Sequence, residues 1–375
     1  MSVSARGVTV TLGAVLTAAC GFSPEMERAA PASPCPGEVV GPAASVPDTT
    51  ELRWYRAAAE RDVRLASSWC ATVGGPVLIS NPEGSFPAWE RGTGLEVVTW
   101  NMQINGGDAF RFLRDELGLD CTADRPRLEG GRAPFVALLQ ETWRRSDDLP
   151  FVESGANVPW TIDEEHGRDE EADIVEVARR CGLALVYVPS ARNGPDTGGR
   201  PREDKGNAVL STLPLSTPLG IDLPLEGGRK VAVAATVHAP GGERVRLVTV
   251  HLDVASTLIR SLVSGNQTRT RQATGVIDAL DEAERDGPHT PVVVVGGDMN
   301  TWAGNETALK VMWQAFPDSP SWDGLGTRGA FPPDHIFFRG SGNRAFTVEQ
   351  YRRIDDTYFS DHNGRRLRLR YAPIG

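Results

Sequence analysis

The segment Val292-Val293-Val294-Val295-Gly296-Gly297-Asp298-Met299-Asn300 places the firmest limit on the fold. Four β-branched residues in a row, with no polar residue among them, suit a strand that is covered on both faces of its sheet. The two glycines stop the run and let the backbone approach something closely at the strand's end. Asp298 and Asn300 are two apart, so extended chain points them to the same side. A carboxylate and an amide donor are thus delivered together at the mouth of a sheet. A strand ended by an ordinary polar turn is the alternative, because Asp and Asn are common turn formers.

A chain of 375 residues holds one large domain or two ordinary ones. It is 40% hydrophobic and 23% charged, as soluble globular proteins are. The net charge of -10 excludes a large basic field for holding nucleic acid through phosphates alone. A nuclease remains open, since a bound divalent cation supplies local positive charge. None of the five cysteines, Cys20, Cys35, Cys70, Cys121 and Cys181, forms a C-x-x-C pair, which argues against a thiolate zinc site.

Residues 1–20 have the form of an export signal: Arg6, an apolar run from Val8 to Leu16, then Thr17-Ala18-Ala19-Cys20. The run is too short to span a bilayer. Cys20 directly after two alanines resembles a bacterial lipoprotein processing site, where it would carry the lipid and tether the chain. A plain secretory signal is the alternative. Residues 21–50, rich in Pro, Ala, Ser and Gly, are expected to be a flexible tether. Thr49 or Thr50 is expected to cap a helix running to about Ser68, so that residues 51–94 form a helical extension. Export implies an oxidising environment, and four cysteines allow three pairings. The reading favours Cys121 with Cys181 and Cys35 with Cys70, against four free thiols.

The main domain is expected at residues 95–375. Apolar runs end in polar residues at Leu95–Asn101, Phe135–Glu141, Val245–His251 and Val292–Asp298. Further strands are expected at Leu183–Val188, from Gly206 to Ser211, at Val231–His238, from Asp334 to Phe338 and at Arg366–Tyr371. Helices are expected after Gly106-Gly107, near Ala172–Arg180 and over roughly Gln267–Glu284, with the acidic stretch Trp143–Asp169 as a loop. This mixture implies two packed sheets with helices outside.

The polar residues at the ends of these runs are Asn101, Glu141, His251, Asp298, Asn300, Asp334, Asp361 and His362. One of them would mean little, but so many point to a site at one edge of a sandwich. Glu141 and Asp361 are hard oxygen donors suited to Mg²⁺ or Mn²⁺. Asn101 and Asn300 can hydrogen-bond phosphate oxygens without adding charge. Asp298 can align and deprotonate a water, His362 or His251 can donate a proton, and Asp334 can orient a histidine. Hydrolysis of a phosphate ester needs this inventory.

In order and spacing, Val98-Thr99-Trp100-Asn101, Leu139-Gln140-Glu141-Thr142, Gly206-Asn207-Ala208-Val209-Leu210-Ser211, Val248-Thr249-Val250-His251, Gly297-Asp298-Met299-Asn300, Pro333-Asp334-His335-Ile336 and Ser360-Asp361-His362 resemble the endonuclease/exonuclease/phosphatase superfamily. The resemblance runs from Leu95 to the C-terminus. It implies an α/β fold, a four-layer α/β/β/α sandwich of two mixed sheets. It also implies that Glu141 binds the metal and Asp361 supports the metal or its waters. Asn101 and Asn300 would hold phosphate oxygens, Asp298 the attacking water, and His362, held by Asp334, the phosphate. His251 stands near the leaving group by the same resemblance, and Asn207 is a motif position without an assigned step. Two departures flank the histidine–aspartate pair: Pro333 where members have an aliphatic residue, and Asn363-Gly364 after His362.

His335 follows Asp334 directly, so in a strand it points away from the site. Arg192-Asn193-Gly194 lies in a Gly/Pro-rich loop that could overhang the site and touch substrate, the alternative being a loop with no such role. The expectation is an exported, metal-dependent phosphoesterase acting on phosphodiesters, expected as a monomer. Nucleic acid is the first substrate class and a lipid headgroup, as in sphingomyelinase-like or phosphoinositide-cleaving members, the second. The rival is an inactive binding protein on the same fold.

Overall fold

The computed structural model describes residues 26–28, 38–39, 52–57, 72–153, 161–162, 172–194, 202–225, 228–254, 266–340 and 345–372. The four valines lie as their pattern requires. Val292 and Val294 face a core between two sheets, while Val293 and Val295 face a second core beneath helices.

The first sheet has seven strands, in the order Met26–Arg28, Arg53–Ala57, Ser216–Asp222, Val231–His238, Arg244–His251, Val292–Asp298 and Asp334–Arg339. The second runs Phe346–Arg353, Arg365–Tyr371, Gly94–Asn101, Phe135–Arg145, Glu203–Ser211, Ala184–Asn193, Val77–Ile79 and Glu38–Val39, with Thr161–Ile162 added beside Ala184–Asn193. Helices Asn266–Asp286 and Thr307–Ala315 cover the outer face of the first sheet, and Ala109–Asp115 and Ile174–Arg180 that of the second. The four expected layers are present, with parallel and antiparallel pairs in both sheets.

Alternation along the strands builds these layers. Leu95 and Val97 enter the inter-sheet core and Val98 and Trp100 the outer one. Near the site the sheets are tied by a polar bridge: Gln140 Nε2 donates to Thr99 Oγ1 at 3.0 Å within its own sheet and to Thr249 Oγ1 at 2.9 Å in the other. A Cβ on Gly296 would lie 2.8 Å from Leu138 Cδ1 and 3.0 Å from Thr99 Cβ, so the sheets close on this glycine. The close approach expected of the glycine pair is thus sheet against sheet.

The N-terminal expectations need correction. Arg53–Ala57 is a strand, not part of a helix, and pairs in parallel with Ser216–Asp222. Trp54 packs between the sheets and Tyr55 under the helices, a period of two that overrides the helical spacing. Val77–Ile79 joins the second sheet, so no boundary at Leu95 separates an extension from the domain. Met26–Arg28 and Glu38–Val39 are also paired strands, inside the stretch expected to be a tether. The remainder of the signal, tether and expected helix lies outside the described residues.

Elsewhere the strand from Phe135 runs on to Arg145, and Ala184–Asn193 continues to the residues read as an overhanging loop. Arg192 and Asn193 are buried there, on the Glu203 carbonyl and carboxylate. Cys121 and Cys181 form the expected disulfide; Cys35 and Cys70 lie outside the described residues. Among the described residues no helix is long and apolar enough to cross a membrane.

Candidate active site

Strand register gathers the polar ends at one edge. Val245–His251 and Val292–Asp298 run in parallel with His251 opposite Asp298, and Asp334 opens the antiparallel neighbour opposite the same Asp298. In the other sheet Asn101 pairs with Gln140, one residue before Glu141. His362 lies in the turn before Arg365–Tyr371, whose first residue pairs with Thr99. Parallel pairs bring two strand ends together, and the antiparallel strands from Asp334 and Arg365 add their starts beside those ends.

Asp298 sits at the centre and is 1% exposed. Its Oδ1 accepts the Asn300 backbone N–H at 2.7 Å and its Oδ2 accepts Asn101 Nδ2 at 2.8 Å. Asn300 takes a left-handed conformation, φ 49°, which Asn tolerates better than most residues. One of its amide protons goes to the Leu252 carbonyl at 2.8 Å and the second remains for a ligand. Asn101 Nδ2 also donates to Glu141 Oε1, at 3.3 Å. Asn101 thus bridges the two acids through its amide nitrogen.

His362 and Asp334 form the tightest unit. His362 Nδ1 is 2.8 Å from Asp334 Oδ2, while Nε2 faces Asp298 Oδ2 at 3.9 Å and Asp361 Oδ1 at 3.7 Å. Burial opposes the charged ring, but Asp334, then Asp298 and Asp361, outweigh it and push the imidazole up to about 10. His362 is thus an imidazolium at neutral pH, with its outer N–H turned toward the other carboxylates. Thr327 absorbs the two departures noted beside this pair. Its hydroxyl accepts the Asp334 N–H at 3.1 Å and its carbonyl accepts the Asn363 N–H at 2.7 Å.

Glu141 occupies a bulge: its φ is 54°, and the ladder to Glu203–Ser211 shifts register opposite it. Its Oε2 lies 3.2 Å from Lys205 Nζ and accepts the Ile104 N–H at 3.4 Å, and its Oε1 is 3.6 Å from His251 Nε2. Burial alone would raise this carboxyl, but Lys205, His251 and Lys230 together hold it well below the usual range. His251 behaves oppositely to His362. Burial first, then Lys230 with Nζ 3.4 Å from Nε2, pushes it down to about 3. Its Nε2 thus stands between the Lys230 Nζ and Glu141 Oε1, the latter at 3.6 Å.

Lys205 and Lys230 were not anticipated from the sequence. The signal was topological: Lys230 directly precedes Val231–His238, which runs antiparallel to the strand ending in His251. Asn207 is a strap, donating to the Val231 carbonyl at 2.7 Å. His335 points away as expected, Nε2 on the Pro332 carbonyl at 2.8 Å, against Trp313 and Phe337. Asp361 is half-buried at the rim, ion-paired to Arg328, with its N–H donated to Gln103 Oε1 at 2.8 Å.

Two places suit a cation. Asp298, Asp334 and His362 are spaced closely enough to hold one. There His362 Nδ1 is already engaged with Asp334. Glu141 is the second: its contacts of 3.2 to 3.6 Å are long for a half-buried carboxylate, and its oxygens suit a hard divalent ion.

Residues 98–362 match the model of the Endonuclease/Exonuclease/phosphatase family. No curated protein matches the chain. Among solved structures, an endonuclease/exonuclease/phosphatase from Beutenbergia cavernae is 18% identical, with a TM-score of 0.49, over 75% of this chain and 72% of that one. The human Nocturnin catalytic domain is 15% identical, with a TM-score of 0.50, over 76% of this chain and 97% of that one. At such identity the second likeness supports the fold alone.

Proposed function

From the premise that the chain belongs to the endonuclease/exonuclease/phosphatase family, whose members hydrolyse phosphate esters, we propose that it is a divalent-metal-dependent phosphodiesterase. The observation that carries this reading is the pairing of a buried Asp298 with a charged His362 held by Asp334. A phosphoryl group set beside them meets an acceptor and a proton donor together.

Asp298, fixed by Asn101 and the Asn300 N–H, aligns a water and takes its proton as the water attacks in line. His362 Nε2–H hydrogen-bonds a non-bridging oxygen and offsets the charge that grows there. Asn300 supplies its second amide proton to the same group. Lys230 and Lys205 add fixed positive charge on the His251 side, where the departing oxygen gains charge. Glu141, with Asp361, would hold Mg²⁺ or Mn²⁺. That ion would neutralise phosphate charge and polarise the phosphorus. Export, with Cys20 as a lipid anchor, belongs to the same reading and is supported by the N-terminal pattern alone.

The test is hydrolysis of bis(4-nitrophenyl) phosphate with Mg²⁺, then with chelator, then with Mg²⁺ restored. Activity should vanish and return. Chelator-insensitive turnover, or none under any condition, rules the reading out.

A further inference from the structure

Among the described residues six large hydrophobic side chains are exposed, and five of them lie within three residues of a site residue or of Thr327. Val254 is three residues after His251, Trp302 two after Asn300, Phe331 three before Asp334 and Phe359 three before His362. Leu325 is two before Thr327, which binds the Asp334 N–H. Each is between 42% and 65% exposed. They also join through contacts. Trp302 meets Phe331 edge to face at 4.9 Å. Phe331 donates its N–H to the Arg328 carbonyl at 3.1 Å, and Arg328 pairs with Asp361, two residues past Phe359.

The charges among them are locally cancelled. Arg328 is held by Asp361, Arg111 by Asp356 at 3.2 Å and Asp115 at 3.4 Å, and Arg365, behind Leu325, by Asp323 at 3.0 Å. An apolar collar with paired charges, on a chain of net charge -10, is a poor match for a polyanion. Aliphatic Val254 and Leu325 offer nothing for a base to stack on. A mixture of Trp, Phe and aliphatic tips with no net basic charge suits the boundary of a zwitterionic bilayer, where aromatic rings sit at headgroup depth. We infer that Val254, Trp302, Leu325, Phe331 and Phe359 form a collar that seats the site on a zwitterionic phospholipid surface, so that the diester cleaved is that of a lipid headgroup. This rests on the phosphodiesterase reading and orders its two substrate classes, lipid before nucleic acid. A lipid on Cys20 would hold the chain at the same surface.

The experiment uses the full chain with Cys20→Ser, so that no attached lipid contributes. Co-sedimentation with vesicles of phosphatidylcholine and sphingomyelin is compared for this protein and for Trp302→Ser with Phe359→Ser. The parent should sediment and release headgroup phosphate. The double variant should lose at least tenfold in both, with hydrolysis of soluble bis(4-nitrophenyl) phosphate unchanged. The inference is overturned if the parent stays in the supernatant, if the variant binds vesicles equally, or if the substitutions instead depress cleavage of a single-stranded oligonucleotide. Failure to cleave the soluble diester at all would sink the catalytic reading instead, whatever the vesicles show.

Discussion

Two clusters of buried charge invite comparison, one around Glu96 and one around Asp298. Glu96 is 4% exposed and gives one oxygen to Arg366 Nε at 2.7 Å and the other to Arg368 Nη1 at 3.2 Å. Arg366 also holds Glu116 at 2.8 Å. Every carboxylate there faces guanidinium. At the site the arrangement is reversed: Asp298, Asp334 and Asp361 converge on one imidazole, and Glu141 has only long contacts. A scaffold pairs opposite charges until each is satisfied. A reaction site gathers like charges and leaves donors and acceptors turned toward a ligand. The carboxylates around Asp298 are therefore read as catalytic and Glu96 as structural, though Asp298 and Glu96 are both buried.

That contrast breaks if the two clusters respond alike to substitution. His362→Ala should lower kcat about 10²–10⁴-fold with a melting temperature near the parent's, read by initial rates and calorimetry. Glu96→Gln should do the reverse. It leaves Arg366 short of a partner and should destabilise by about 3–5 kcal/mol in urea titrations, with turnover intact at temperatures where the protein is folded. Removing the Cys121–Cys181 bond by Cys→Ala at both positions should cost about 2–4 kcal/mol without changing kcat, since the bond lies in the scaffold.

At neutral pH the smallest effect on activity sharpens the comparison between histidines. Burial pushes His335 down to about 3, below its ordinary 6.5. The unfolded chain takes this proton as pH falls below 6.5 and the folded protein does not until near 3. Stability is therefore lost through that window, at about 1.4 kcal/mol per pH unit for one proton. His335→Phe should flatten the acid limb of a stability–pH profile by that slope, leaving activity at neutral pH unchanged.

The sequence revealed most where burial is simple. Val292–Val295 could only be a covered strand, and its end located Asp298. The motif order led to Glu141, Asp334 and His362 because parallel and antiparallel neighbours bring such ends together whatever the loops between them. What it hid depends on contacts between distant elements. Trp54 and Tyr55 read as helical until a neighbouring strand supplied their partners. That Asn101 bridges Glu141 and Asp298 is likewise set by partners distant in the chain. Lys230 meets His251, and nothing local to either residue shows that they do. The collar of exposed side chains was equally invisible, since exposure is a property of the folded edge.

The most direct measurement is the rate of bis(4-nitrophenyl) phosphate hydrolysis by Asp298→Asn beside the parent, at saturating Mg²⁺ and with unfolding curves for both. The account predicts a fall of about 10²–10⁴-fold with the fold retained. A folded Asp298→Asn protein that turns over at the parental rate would contradict it.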